Sequence, residues 1–157
     1  MPAIHRRAAL GLMIAALAGC GTKAPSPKPA ARPKPQFSGN TPQMQHLIKR
    51  YARAYDIPES LIHRVIRRES GYRPEARNGP YYGLMQILPQ TAASMGYRGA
   101  PEGLLDAETN IKYAGKYLRG AWLVSRGDAD RAVMWYARGY YYEAKRLGLL
   151  EETGLRS

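Results

Sequence analysis

Five prolines, Pro25, Pro27, Pro29, Pro33 and Pro35, fall within eleven residues and are interleaved with Ala, Lys, Arg and Ser. Each fixes its φ angle and lacks an amide donor, so this tract extends as polyproline-like chain and builds no core. A folded domain must therefore come from the residues that follow. Charge divides at the same place. All twelve carboxylates of the 157 residues lie in 41–157, beside eighteen of the twenty-four Lys and Arg. That segment has single-domain length and can bury a modest core. The basic balance suits a polyanion or an anionic surface: nucleic acid, phospholipid headgroups or acidic wall polymer. A soluble protein that is merely basic has the same balance, and charge alone does not choose.

Ahead of the prolines, His5, Arg6 and Arg7 precede an apolar run of ten residues, Ala8 to Leu17. The run is too short to span a bilayer and reads as the core of a signal peptide over residues 1–19. It ends in Leu17-Ala18-Gly19-Cys20, which resembles the lipobox of bacterial lipoproteins. That resemblance implies cleavage before Cys20, a diacylglycerol on its thiol and a further acyl group on the new N-terminus. Several acyl chains anchor stably where one binds only marginally. The plain alternative is an ordinary signal peptide with a chance cysteine. Gly21, standing where an Asp would argue otherwise, implies by the same resemblance the outer membrane, facing the periplasm. Residues 20–40 then form a tether reaching some tens of Å, at about 3.1 Å per residue.

From residue 41 onward the spacing predicts helices. Thr41-Pro42 is an N-cap followed by a first-turn proline, and Met44, Leu47, Ile48, Tyr51, Ala52 and Tyr55 recur at helical steps. A second helix starts near Pro58, carries Leu61, Ile62, Val65 and Ile66 on one face, and stops at Gly71. Further helices are expected from Pro89 to Met95, from an Asp106 cap to Gly127, from Asp128 to Ala137 and from Tyr142 to Leu147. No stretch alternates with a period of two. The expected class is all-α.

Glu69 lies three, four, seven and eight residues after Ile66, Val65, Ile62 and Leu61, so it continues the apolar stripe of the second helix. A carboxyl turned inward loses hydration, which raises its pKa and suits a general acid. Periodicity alone also allows this side chain, in the last turn, to bend outward to solvent. His5, His46 and His63 form no pair at ligand spacing, and Cys20 is the only cysteine, so neither a protein-built metal site nor an internal disulfide is expected. His63 reads as a polar helix residue. No cofactor is expected.

Glu69-Ser70-Gly71-Tyr72, followed by Arg73-Pro74-Glu75-Ala76, resembles the ESGF-type signature of the soluble lytic transglycosylases, a goose-lysozyme-like family. Gly83-Leu84-Met85-Gln86-Ile87-Leu88-Pro89-Gln90-Thr91-Ala92 is similar to the second motif of that family. Leu105 to Ile111, with Gly115 and Tyr117-Leu118, resembles the helix that follows. The likeness runs from about residue 44 to 139 and implies a lysozyme-like helical domain with a central cleft. It also implies cleavage of the β-1,4 bond between N-acetylmuramic acid and N-acetylglucosamine in peptidoglycan. One Glu protonates the linking oxygen, the substrate acetamido group stabilises the cationic centre, and the muramic 6-hydroxyl closes a 1,6-anhydro ring. Most glycosidases use two carboxylates; here Glu75, Asp106 and Glu108 read as loop or cap residues.

The resemblance further implies that Tyr136 orients the catalytic Glu69. By the same token Ser70 hydrogen-bonds near the Glu and the sugar, while Met85 and Gln86 line the cleft. Tyr72, Tyr82 and Gly83 complete the expected substrate-binding set, with packing or turn duty as the alternative for Met85, Tyr136 and Gly83. Twelve Tyr against two Trp and one Phe form a skewed aromatic inventory. Tyr81-Tyr82 and Tyr140-Tyr141-Tyr142 suit a carbohydrate groove; Tyr51, Tyr55, Tyr113 and Tyr117 read as helix packing.

The third motif, Trp135-Tyr136-Ala137-Arg138-Gly139, departs from the family pattern A-Y-N-A-G: Ala137 replaces an Asn and Arg138 an Ala. One glycan contact is lost, and Arg138 is a candidate to meet a lactyl or peptide carboxylate. A weak or inactive wall-binding lipoprotein and a lysozyme-like hydrolase are the rival readings. A nucleic-acid module ranks last, because the basic residues scatter over several helices. The expected partners are glycan strands and, through Cys20, a membrane. The expected state is a monomer in the cell envelope, with service in a wall-spanning assembly left open.

Overall fold

A computed structural model describes residues 39–155. The signal-peptide and Cys20 readings lie outside them. The described residues hold six α-helices: α1 (Pro42–Tyr55), α2 (Glu59–Glu69), α3 (Pro89–Ser94), α4 (Ala107–Val124), α5 (Ala129–Arg138) and α6 (Tyr141–Leu147). The all-α expectation holds. Side-chain caps set three of the starts. Thr41 accepts from the Met44 amide (3.2 Å), Asp106 from Thr109 (2.9 Å) and Asp128 from Arg131 (2.9 Å), each satisfying an otherwise orphaned N–H.

Two features escaped the sequence reading. A two-stranded antiparallel hairpin pairs β1 (Arg77–Asn78) with β2 (Tyr81–Tyr82), and a 3₁₀ turn spans Pro101–Leu105. Strands of two residues are too short for an alternating pattern to register.

The long helix α4 is the axis of the domain. It packs against α1, α3, α5 and α6, while α2 packs on α1 and α5. Ile111, Ala114, Leu118 and Ala121 are fully buried along α4 and meet Ile48, Leu61, Ile62 and Ile66 in one core. Each large aliphatic side chain there contributes about 1.5–3 kcal/mol of burial. Gly120 admits the ring of Tyr140, which a Cβ would overlap; the Tyr140 hydroxyl donates to the Tyr117 carbonyl at 2.8 Å. Tyr140 is thereby a core residue and no part of a groove.

At the start of α4, Asn110 is 0% exposed. Its amide nitrogen donates to the carbonyls of Tyr82 and Leu104 (2.8 Å each), and its amide oxygen accepts from the Met85 N–H (2.9 Å). This one side chain pins the segment between β2 and α3 to the long helix. Gly83 sits in that grip with φ +74°, and an added Cβ there would overlap both Asn110 and the Leu104 carbonyl oxygen. Replacing Asn110 by Ala takes their side-chain partner from the Met85 N–H and the Leu104 carbonyl, while the Tyr82 carbonyl keeps the Ile87 N–H at 3.1 Å. The expected loss is roughly 3 kcal/mol of unfolding free energy, read by urea denaturation.

Candidate active site

α2 ends at Glu69 because Ser70 leaves helical geometry and Gly71 takes φ +59°. The next residue, Tyr72, also has positive φ (+63°), held by its hydroxyl against His63 Nδ1 (2.8 Å). His63, read from sequence as a plain helix residue, thus braces the turn that follows the candidate acid. The Tyr72 carbonyl accepts from the Gly39 amide, which fastens the first described residue to the same turn.

The Glu69 side chain is 25% exposed. It opens into a cavity of about 250 Å³ whose walls include Arg68, Asn78, Tyr81, Gln86 and Tyr136. Two neighbouring cavities continue it. One, of about 330 Å³, shares Tyr81, Gln86, Tyr136 and Ala137 and adds Leu88, Thr91, Tyr117 and Arg138. The other shares Glu69, Asn78 and Gln86 and adds Arg73, Glu75 and Arg77. The three make one groove with Glu69 in its middle stretch.

Burial raises the pKa of Glu69 above the ordinary carboxylate value; the Arg68 guanidinium, 3.6 Å away, partly opposes this. Of the two, desolvation prevails. Tyr136 is pushed well above the usual phenol range by burial, then by the Glu69 charge and by Tyr117. It stays a neutral phenol, and its hydroxyl donates to the Met85 carbonyl at 2.8 Å. That bond fixes the ring beside Glu69.

The structure brings Glu69, Gln86, Tyr136 and Arg138 to the groove. Five residues expected to touch substrate are buried, Ser70, Tyr72, Tyr82, Gly83 and Met85. Ser70 is 3% exposed and its hydroxyl lies 2.7 Å from the Leu84 carbonyl. Met85 is 0% exposed, so its sulfur faces the core; its backbone serves Asn110 and Tyr136. Tyr72 is engaged with His63, and Tyr82 accepts from Arg77, whose guanidinium also lies over the Tyr82 ring. Gly83 supplies a turn. Gln86, at φ +47°, donates to the carbonyls of Ala76 and Gly83 while lining all three cavities.

Sequence reasoning missed Asn110 and placed Tyr117 in the packing class, whereas Tyr117 also lines the groove. Its T-shaped contact with Tyr136, 5.5 Å between ring centres, does both. Glu75, read as a loop residue, lines the groove at its far end, while Asp106 caps α4 and Glu108 pairs with Arg50 at 2.6 Å. No cluster of His, Cys, Asp and Glu among the described residues could hold a metal ion. No helix among them is long and apolar enough to cross a membrane.

Residues 46–148 match the family model described as Transglycosylase SLT domain. The chain belongs to the transglycosylase SLT domain family. Over 81 residues it is 38% identical to a protein of Escherichia coli (strain K12) named soluble lytic murein transglycosylase. A protein of the same name in Salmonella typhimurium (strain LT2) is 38% identical over 81 residues. The alignments cover 46% of this chain and 12% of the relatives' length. The SLT domain accounts for all of the groove: Glu69, Gln86, Tyr117, Tyr136 and Arg138 lie within the matched span.

Folding keeps a proton on Glu69 more tightly than the unfolded chain does. Its contribution to stability is present below the unfolded pKa and is lost as pH rises through the folded one. Glu69→Gln, neutral throughout, is therefore expected to melt higher than the parent chain at pH 7, with the gap closing toward pH 4. Thermal denaturation followed at both pH values checks this.

Proposed function

We propose that the chain is a peptidoglycan lytic transglycosylase that uses Glu69 as its single acid and base. The observation that carries this reading is one partly desolvated carboxyl, its pKa raised, midway along a groove walled by tyrosines and polar side chains. The family and the names of the relatives in the two enterobacteria support the choice of substrate.

The protonated Glu69 carboxyl donates its proton to the oxygen linking N-acetylmuramic acid to N-acetylglucosamine, and the C1–O bond breaks. The acetamido carbonyl oxygen of the muramic residue bonds to C1 and shares the positive charge. Glu69, now a carboxylate, takes the proton of the muramic 6-hydroxyl, whose oxygen displaces the acetamido group at C1. The 1,6-anhydro ring closes, Glu69 regains its proton and no water is consumed. A raised pKa suits both halves, since the group must be acid first and base second near neutral pH. Tyr136, held by the Met85 carbonyl, positions the carboxyl.

A lysozyme-like hydrolase is the second reading, favoured by Glu75 in the wall of the adjoining cavity, where a second carboxylate could activate water. The products separate the two. Purified sacculi digested with the chain are expected to release anhydromuropeptides by mass spectrometry, and Glu69→Gln to lower their yield roughly 10²–10⁴-fold. Reducing-end products would favour the hydrolase. Binding to sacculi with no soluble product, unchanged by Glu69→Gln, would leave a wall-binding protein. Activity is expected to fall as pH rises past the Glu69 pKa; a rate that holds undiminished there removes the protonated acid.

The likeness of residues 1–20 to a lipoprotein signal peptide and lipobox supports the further proposal that this activity works in the cell envelope, on a lipid anchor at the outer membrane facing the periplasm. Cys20→Ser is expected to abolish incorporation of a labelled fatty acid and to free the chain from the membrane fraction.

A further inference from the structure

The stretch of groove beyond Tyr136 differs from the rest in its charge. Where the far end mixes Arg73, Arg77 and Glu75, this stretch has tyrosines, apolar side chains, the neutral polar Gln86 and Thr91, and the one charged group of Arg138. Among the described residues no side-chain hydrogen bond or ion pair engages that guanidinium, and the residue is exposed at the last turn of α5. Its placement there is favourable to the helix dipole in any case, which explains tolerance of a cation and not its presence in the groove wall. Nor does it tune the acid: the cation opposing protonation of Glu69 is Arg68.

Ala137 lines both this stretch and the Glu69 cavity. A methyl group there offers no hydrogen bond to a neutral sugar. One residue on, a fork of five N–H donors offers charge-assisted, bidentate bonds to a carboxylate.

We infer that Arg138 makes the Tyr117 end of the groove a carboxylate subsite, selecting saccharide residues that carry an acid group over neutral ones. The inference rests on the glycan-cleaving reading above. In peptidoglycan the acid group is either the free lactyl carboxylate of a peptide-free muramic residue or a carboxylate of the stem peptide. Arg138 is in this sense a specificity residue, acting on ground-state binding and not on the proton of Glu69.

The test uses the full-length chain carrying Glu69→Gln, so that ligands survive, and measures affinity by calorimetry. Three probes are compared: a peptide-free muramyl oligomer, the same oligomer bearing stem peptides, and a chitin oligomer of equal length, which lacks both acid groups. Adding Arg138→Gln is expected to lower the ratio of muramyl to chitin affinity about tenfold. A fall seen with the peptide-free oligomer assigns the lactyl group, and a fall confined to the peptide-bearing oligomer assigns the stem. Arg138→Lys should recover part of the ratio, and added salt should erode it in the Arg138 chain only. Ratios equal in both chains for both muramyl ligands overturn the subsite while leaving the groove in place. Failure of all three oligomers to bind the Arg138-bearing chain overturns the groove reading itself.

Discussion

The carboxamide of Asn110 makes three hydrogen bonds in a dry site, to the carbonyls of Tyr82 and Leu104 and to the N–H of Met85. Made, each adds only about 1 kcal/mol net; unmade, the Met85 N–H and the Leu104 carbonyl would each cost about 1–3 kcal/mol, while the Tyr82 carbonyl keeps the Ile87 N–H. That asymmetry locks the segment from β2 to α3 onto α4. Two further hydroxyls grip the same segment from other helices: Ser70, at the end of α2, reaches the Leu84 carbonyl, and Tyr136, on α5, reaches the Met85 carbonyl. Three helices thus converge on four consecutive residues, and the groove wall is rigid because its backbone is held from below.

This arrangement explains how a helix end can present a partly desolvated carboxyl. Glu69 is placed by α2, whose apolar face is sunk in the core, and its carboxyl emerges beside a phenol that is itself tied down. Partial burial raises the pKa while Arg68 limits the rise. Complete burial would hold the proton too tightly for the group to act later as a base; full exposure would give it up too early. An intermediate environment keeps both protonation states within reach.

The groove is asymmetric along its length: Arg73, Glu75 and Arg77 line one end, and Ala137 with Arg138 the other. A methyl group and a guanidinium stand side by side there, beside the rings of Tyr117 and Tyr136. The candidate acid, Glu69, lies in the adjoining cavity, which shares Tyr81, Gln86, Tyr136 and Ala137 with this stretch.

Helix periodicity and the caps at Thr41 and Asp106 were readable from residue order, because both follow from interactions within four residues along the chain. So was Glu69, through the stripe it prolongs and the motif around it. The hairpin at 77–82, the burial of Ser70, Tyr72, Tyr82 and Met85, and the double duty of Tyr117 were not. Asn110 shows why most plainly. Its partners are backbone atoms, and every residue offers the same carbonyl and, save proline, the same N–H. Nothing in the identity of Tyr82 or Met85 marks it as the acceptor or donor for an amide 25 or 28 positions away. Chain order encodes which side chains are present and their local rhythm; the pairing of identical backbone groups across distance exists only once the helices have packed.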